Sequence, residues 1–439
     1  MIVSDVFAGK RYAVLGLARS GLATVASLVA SGAQVTAWDS REEARGEVAD
    51  SVALADPLEI DLTGFDGIVV SPGVPLNRHP IAAKAREAGV PIIGDIELFA
   101  LARPTLPPHR VVAITGTNGK STTTALIHHI IEQAGLPTMM GGNIGLPILG
   151  QSPLEPNLRG PGIYVLELSS YQIDLTYSLD CDVAVLLNIT PDHLDRYDGF
   201  EGYIASKARL FAMQGEPGVA VIATEDEPSQ RIFASLARGV QVTSGDVSTA
   251  DQARWPSLQG PHNAQNAAVA VAVGRALGIA DAVIDAALES YASLPHRMQR
   301  VGEVSGVLYV NDSKATNAAS TAPALGAYPP IDGQPRIHWI LGGVAKADHL
   351  DECTPYFANI KAAYTIGEAG PMFADILRPH MSVDDSELLA TAVRRAARVA
   401  EPGDVVLLSP ACASFDQFRD FEARGDAFKA AVANLGVEP

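Results

Sequence analysis

The chain has 439 residues, 47% hydrophobic and 19% charged, a mix that reads as soluble and globular and long enough for about three domains. Fifty acidic residues against 32 basic ones give a net charge of -18, which repels nucleic acid and anionic membrane surfaces. No basic run offsets that charge, so an anionic ligand must be met locally by Lys, Arg, a helix N-terminus or a metal. Met1–Lys10 lacks the charged start and apolar run of a signal peptide, and no segment approaches the roughly 20 apolar residues of a membrane helix. Cys181, Cys353 and Cys412 are odd in number and far apart, which excludes a disulfide framework or a CxxC metal pair. The expected location is the cytoplasm, without membrane insertion or a nucleic-acid partner, and the expected state is a monomer.

Short β-rich runs alternate with Ala-rich helical stretches from end to end, the pattern of parallel sheets in α/β layers. The first run, Tyr12–Leu15, leads into Gly16-Leu17-Ala18-Arg19-Ser20-Gly21 and a helix, with Asp39 about 20 residues on at the end of the run Gln34–Trp38. This nearly matches the dinucleotide fingerprint G-x-G-x-x-G, with Ala18 at the second Gly, and raises the alternative of an NAD-dependent oxidoreductase. A helix N-terminus holds any diphosphate, that of a nucleotide sugar included. Asp39 also reads as a turn or helix cap. The run Gly67–Val70 precedes Ser71-Pro72-Gly73, and Arg103–Pro108 is a Pro-rich candidate linker.

Val111–Thr115 then runs into Gly116-Thr117-Asn118-Gly119-Lys120-Ser121-Thr122 and a helical pattern through Ala134, stopped by Gly135. The glycines let amides turn inward around phosphate oxygens, Lys120 can reach the β/γ-phosphates of a nucleotide, and Ser121 can ligate Mg²⁺. The full phosphate-loop motif would place Gly where Ile114 stands. Glu167 closes the run Tyr164–Leu168, where a carboxylate can hold Mg²⁺ against a γ-phosphate. The run Asp182–Leu187 is followed by Asn188-Ile189-Thr190-Pro191-Asp192-His193, dense in polar groups, and His193 is a candidate ligand. Read plainly, Lys207 in Tyr203–Phe211 is a helix-surface lysine. Ala267–Val273 reads as a buried helix, and Leu294–Arg297 as a second linker and candidate hinge. Three later polar segments follow strands: Asn311–Asn317, Gly342–Lys346 and Ser409–Phe418. They should gather at one sheet edge, where Lys314, Lys346 and Ser414 could clamp a small dicarboxylate. The plainer readings are helix N-caps for Ser313 and Ser414 and exposed lysines for the rest.

Gly116–Ser121 resembles the phosphate loop of the Mur ligases, the amino-acid-adding enzymes of peptidoglycan synthesis; folylpolyglutamate synthases share a related loop. The resemblance runs nearly end to end through Ser71–Pro75, Gly94–Phe99, Gly142–Gly145, Glu167–Gln172, Asn188–Arg196 and the three C-terminal segments. It implies an α/β fold of three domains: Rossmann-like 1–105, a central P-loop ATPase-like parallel sheet 106–299, and Rossmann-like 300–439. It implies ATP and Mg²⁺ as cofactors. The phosphate loop Gly116–Thr122, with Asn266, Arg297 and Asp312, would bind ATP. Ser121, Glu167, His193 and a CO₂-carbamylated Lys207 would hold the metal, and Lys120, His193 and Lys207 would be catalytic. Arg19, Ser20, Asp39, Ser40, Gly73, Asn143, Ser169 and His193 would face a UDP-bearing substrate. The C-terminal segments resemble the branch that joins D-glutamate to UDP-N-acetylmuramoyl-L-alanine, with Thr316, Lys346, Ser414 and Phe421 on the D-glutamate; another Mur-type ligase is the alternative. The expected chemistry is an acyl phosphate made from ATP, then attacked by the amine, with the C-terminal domain closing to exclude water.

Overall fold

The computed structural model describes residues 1–49 and 51–436. The chain divides into two compact units, Met1–Thr243 with Ala268–Ala287, and Ser244–Ala267 with Leu288–Pro439.

The first unit holds two sheets. One is built from β1 (Arg11–Leu15), β2 (Gln34–Trp38), β3 (Ala53–Leu54), β4 (Gly67–Val70) and β5 (Ile92–Ile93), in the order β3-β2-β1-β4-β5 with every pairing parallel. Strand order reverses between β1 and β4, which opens a crevice at their carboxyl ends. The other sheet contains β6 (His109–Thr115), β7 (Thr138–Gly142), β8 (Gly162–Glu167), β9 (Val183–Leu186), β10 (Val219–Ala223) and β11 (Val240–Val242), in the order β11-β10-β9-β6-β8-β7, again all parallel. Strands β8 and β9 are buried at every position, which is why their sequences are apolar on both faces.

The helix Asp95–Ala102 ties the two sheets together. Its sequence is apolar nearly all round, and Phe99 packs 5.0 Å from Tyr164 of β8. Of its two buried carboxylates, Asp95 and Glu97, the latter is satisfied by the amides of Tyr177 (2.6 Å) and Ser178 (2.9 Å) and the Ser178 hydroxyl (2.8 Å). The expected linker Arg103–Pro108 is not a bare spacer. Arg103–Thr105 forms a 3₁₀ turn, and the Arg103 guanidinium donates to the Asp180 carbonyl and to His109 Nε2 (3.0 Å).

The second unit is built on β12 (Gln299–Val304), β13 (Val307–Asn311), β14 (Ile337–Gly342), β16 (Ile360–Ile366), β17 (Ser382–Glu387) and β18 (Val405–Leu408), with a small antiparallel pair, β15 (Val344–Ala345) and β19 (Cys412–Ala413). The main order is β12-β13-β18-β14-β16-β17; only the edge strand β12 is antiparallel. Trp339 on β14 is fully buried and donates its indole N–H to the Ser409 carbonyl (2.8 Å). In register, Asn311 lies beside Leu408 and Leu408 beside Ile340, so the three polar segments leave one edge together. In the second candidate linker, His296 adopts a left-handed backbone (φ 62), and it is buried. Ala267–Val273 lies in the helix Pro261–Ala276 and is largely buried. Among the described residues no helix is long and apolar enough to cross a membrane.

Candidate active site

The phosphate loop sits at the carboxyl end of β6. Gly116 has φ +154 and a Cβ there would lie 2.9 Å from Leu187 Cβ; Gly119, at φ +84, caps the helix Lys120–Gln133. Ile114 lies inside β6, fully buried and paired with Glu167 and Val185, so the position that lacks the motif's first Gly is a strand position and needs none. The loop is braced by the segment after β9. Asn188 accepts from the amides of Thr117 (2.9 Å, through its carbonyl) and Asn118 (2.8 Å, through Oδ1), and Thr190 donates its amide to Thr117 Oγ1 (3.0 Å).

Two ammonium groups converge on this loop. Lys120 Nζ donates to the carbonyls of Gly116 (3.0 Å) and Thr117 (2.8 Å), and Lys207 Nζ donates to the same Gly116 carbonyl (2.8 Å). Lys207 is not a surface lysine: it is 1% exposed, with Nζ 4.7 Å above the Tyr203 ring. Burial, and then the nearby charge of Lys120, push the Lys207 amine well below its ordinary value. Two cations around one backbone turn suit an anionic ligand and favour a neutral amine at Lys207.

Glu167 ends β8 beside Ile114. One carboxylate oxygen accepts from Asn143 Nδ2 (3.0 Å); the other, Oε2, is buried with no hydrogen-bond partner. A buried carboxylate oxygen left unpaired is costly unless a cation or donor completes it. Gly142, at φ +85, lets Asn143 reach Glu167, since a Cβ at Gly142 would meet the Glu167 carbonyl at 2.1 Å. Among the described residues no three His, Cys, Asp or Glu side chains form a metal-holding group. The unpaired Glu167 oxygen and the Ser121 hydroxyl at the helix start are oxygen donors of the kind that Mg²⁺ takes together with phosphate oxygens.

His193 is exposed, at φ 54, with Nε2 3.5 Å from the Asp192 carboxylate. Its ring lies 5.0 Å from Tyr171 and 6.4 Å from Tyr203. Tyr203 OH is 3.2 Å from Thr117 Oγ1, so Thr117, Lys207 and His193 gather around one tyrosine. Ser169 acts as the N-cap of the short helix Ser170–Asp174, exchanging bonds with Gln172.

At the carboxyl ends of β1 and β2 lies a cleft of about 240 Å³ lined by Gly16, Trp38, Asp39, Ser40, Val74 and His79 among others. Arg19 and Ser20 open the adjacent helix, and Gly73 stands in the exposed turn after β4. Asp39 accepts from the Leu17 amide (2.8 Å) and from the amide (3.0 Å) and Nε (3.2 Å) of Arg41. Burial alone would raise this carboxyl; the Arg41 guanidinium and the two amides outweigh it and hold it at about 2. The 192–196 loop docks on this region: Arg196 donates to the Val74 carbonyl (2.9 Å) while its guanidinium stacks 4.3 Å over Tyr171, and Asn77 donates to the Asp195 carbonyl (3.0 Å). A larger hollow, about 450 Å³ beside Arg110, Arg159 and Leu277, lies at the opposite end of the second sheet.

In the second unit, Lys346 Nζ donates to Thr316 Oγ1 (3.3 Å), Ser414 is buried, and Lys314 Nζ lies 3.7 Å over the Phe421 ring, whose carbonyl accepts from Ser313 Oγ (2.9 Å). The helix N-caps here are Asn317 and Asp420, not Ser313 or Ser414. Asp312 is buried, accepting from the Met298 amide (3.1 Å) and Ser409 Oγ (2.8 Å); burial raises its carboxyl to about 7 against these bonds and the Arg297 charge. Asn266 is buried and donates to Asn263 Oδ1 (3.1 Å). Sequence reasoning missed Asn188, Tyr203 and Arg196 as organising residues, although all three stand in polar or aromatic segments that follow strands.

Three family models match: "Mur ligase MurD-like, N-terminal domain" over 10–94, "Mur ligase middle domain" over 114–259, and "Mur ligase, glutamate ligase domain" over 296–412. A UDP-N-acetylmuramoylalanine--D-glutamate ligase of Novosphingobium aromaticivorans is 66% identical over 99% of this chain and 97% of its own. Proteins of that name from Sphingopyxis alaskensis and Zymomonas mobilis are 63% identical (100% of both chains) and 58% identical (99% of this chain, 100% of its own). Among solved structures, the UDP-N-acetylmuramate-alanine ligase MurC of Thermotoga maritima shares the fold, with a TM-score of 0.60 at 17% identity, covering 97% of this chain and 99% of that one. The chain belongs to the Mur ligase family.

Proposed function

We propose that this chain joins D-glutamate to UDP-N-acetylmuramoyl-L-alanine, driven by ATP, as a step of peptidoglycan synthesis in the cytoplasm. The observation that carries the reaction class is the convergence at one sheet edge of the phosphate loop, the Lys120 and Lys207 amines, and the unpaired oxygen of Glu167. The substrates rest on relatives named UDP-N-acetylmuramoylalanine--D-glutamate ligase, 58–66% identical over 97–100% of their length.

The phosphate-loop amides and Lys120 bind the ATP phosphates. An L-alanyl carboxylate oxygen attacks the γ-phosphorus, ADP leaves, and an acyl phosphate forms. The amine of D-glutamate then attacks the acyl carbon, an amine proton is lost, and phosphate departs as the amide forms. Lys120 stabilises charge building on the transferred phosphoryl oxygens, and Lys120, His193 and Lys207 are proposed to carry the chemistry. Ser121, Glu167 and His193 would hold Mg²⁺, which when bound neutralises phosphate charge. Lys207, buried and with its amine pushed well below its ordinary value, can as the free amine add its nitrogen to CO₂, form an N–C bond and lose a proton. The product is a carbamate anion, a further metal ligand. Residues 106–299, with Asn266 and Arg297 and with Asp312 beyond them, would serve ATP. The cleft at Asp39 and Ser40, with Arg19, Ser20, Gly73, Asn143 and Ser169, would serve the UDP moiety within 1–105 and the neighbouring loops. Residues 300–439, through Thr316, Lys346, Ser414 and Phe421, would serve D-glutamate. A monomer suffices for this reading.

The test is phosphate release from ATP with UDP-N-acetylmuramoyl-L-alanine, Mg²⁺ and a panel of amino acids. Release strictly dependent on D-glutamate supports the reading, and release with a different amino acid overturns the substrate assignment. Within that assay, Glu167→Gln should raise the Mg²⁺ concentration for half-maximal rate by about tenfold or more, since an amide oxygen replaces the unpaired carboxylate oxygen. An unshifted Mg²⁺ titration would remove Glu167 from the metal site.

A further inference from the structure

Arg424 is 1% exposed, in the first turn of the helix Phe421–Ala433. Its guanidinium makes five donations: Nε to Ser313 Oγ (3.0 Å), Nη2 to the carbonyls of Ser313 (2.9 Å) and Cys412 (3.0 Å), and Nη1 to those of Ala413 (3.3 Å) and Gly342 (3.4 Å). All five go to a hydroxyl or to backbone carbonyls, none to a carboxylate. Asp416 acts on this charge without a hydrogen bond to it; a buried guanidinium bonded to no carboxylate is expensive, and a fold keeps one where its donors or its field have a use. The acceptors define that use. Ser313 follows β13, Gly342 ends β14, and Cys412 and Ala413 form β19, which pairs with β15. These are the three segments that carry Thr316, Lys346 and Ser414. The fourth residue, Phe421, is one turn before Arg424, and its carbonyl accepts from the same Ser313 hydroxyl that Arg424 binds.

We propose that Arg424 is the positioning residue of the amino-acid site: its planar fork sets the spacing of the three strand-end segments, and its charge, hydrogen-bonded to no carboxylate, lies behind them to favour a dicarboxylate. This rests on the assignment of these segments to D-glutamate. Lysine keeps the charge but, as a single point donor, cannot span three segments. Cys412 and Ala413 would then have carbonyls without their donor, and the segments would lose their common anchor.

The experiment is steady-state kinetics of Arg424→Lys, varying each substrate in turn with the others saturating, beside thermal melts. The expected result is a KM for D-glutamate raised by about tenfold or more, with KM for ATP and for the nucleotide substrate within about twofold of wild type. Unmoved constants, or all three moving together, overturn the proposal, because a merely structural residue does not single out one substrate. If Arg424→Lys does not fold, Ser313→Ala carries the same test: it removes the hydroxyl between Arg424 and Phe421 and should raise the D-glutamate KM by about three- to tenfold. The wild-type amino-acid panel separates the two readings. Turnover with a different amino acid sinks the D-glutamate assignment, and the variant is then scored on the KM of that amino acid. D-glutamate-dependent wild type with an unshifted variant sinks only the role of Arg424.

Discussion

Lys120→Ala is expected to lower ATP-dependent phosphate release by about a thousandfold or more while leaving the protein folded, because the lysine is the donor aimed at the charge that develops on the transferred phosphoryl group. Lys120 Nζ donates to the carbonyls of Gly116 and Thr117, which places its ammonium within the phosphate loop itself. Removing them does not release the loop, which is held by Asn188 and Thr190, and the Gly116 carbonyl keeps the bond from Lys207. The stability loss should therefore stay near the net worth of one or two hydrogen bonds, about 1–2 kcal/mol. Phosphate release and a thermal melt on the same preparation check both halves. An alanine variant retaining more than about a tenth of the wild-type rate would detach Lys120 from phosphate chemistry.

The parts of this site that were legible in sequence are those written locally. A strand, a Gly-rich turn and Lys-Ser at a helix start announce themselves within a dozen residues, as do a carboxylate and a polar run at the ends of β8 and β9, the strands on either side of β6. Ile114 departs from the motif harmlessly because its position is inside β6. What the sequence hid is burial and long-range pairing. Lys207 read as exposed, yet Tyr203, Lys207, Leu210 and Phe211 share the buried side of the helix Gly199–Ala212 at spacings of three and four. Arg424 repeats the lesson: with Phe428 and Val432 it occupies the buried stripe of its helix at spacings of four. In both helices the apolar periodicity placed the charged residue inside; residue type alone argued the reverse. Asp39 was found by its distance from the glycine loop, but its carboxylate is committed to Leu17 and Arg41, which no local pattern reveals. Likewise Lys346 and Thr316, 30 residues apart, meet only through the sheet.

The burial of Lys207 sets the second large effect. Lys207→Met should abolish phosphate release to the level of Lys120→Ala and yet stabilise the protein at neutral pH by about 1–2 kcal/mol, the pattern of a site that trades stability for function. The sign follows from proton binding. In the unfolded chain the amine titrates near its ordinary 10.5; in the fold, burial and Lys120 push it well below that. Between the two values the unfolded chain binds more protons, so wild-type stability rises with pH and the penalty fades as pH nears 10.5. Below the folded value both states are protonated, and the penalty is complete and flat. Methionine has no such term, so its advantage should be largest at low pH and shrink toward alkaline pH. Its packing cost is small: the Gly116 carbonyl keeps Lys120, and Thr115 Oγ1 still donates to the Leu168 carbonyl (2.9 Å). Thermal melts across pH, in buffers stripped of CO₂, read the difference directly. Bicarbonate should raise the melting temperature of the wild type alone, since a carbamate relieves the buried cation. A methionine variant less stable than wild type at neutral pH would mean that the ammonium is held charged in the fold, and an amine so held cannot add to CO₂.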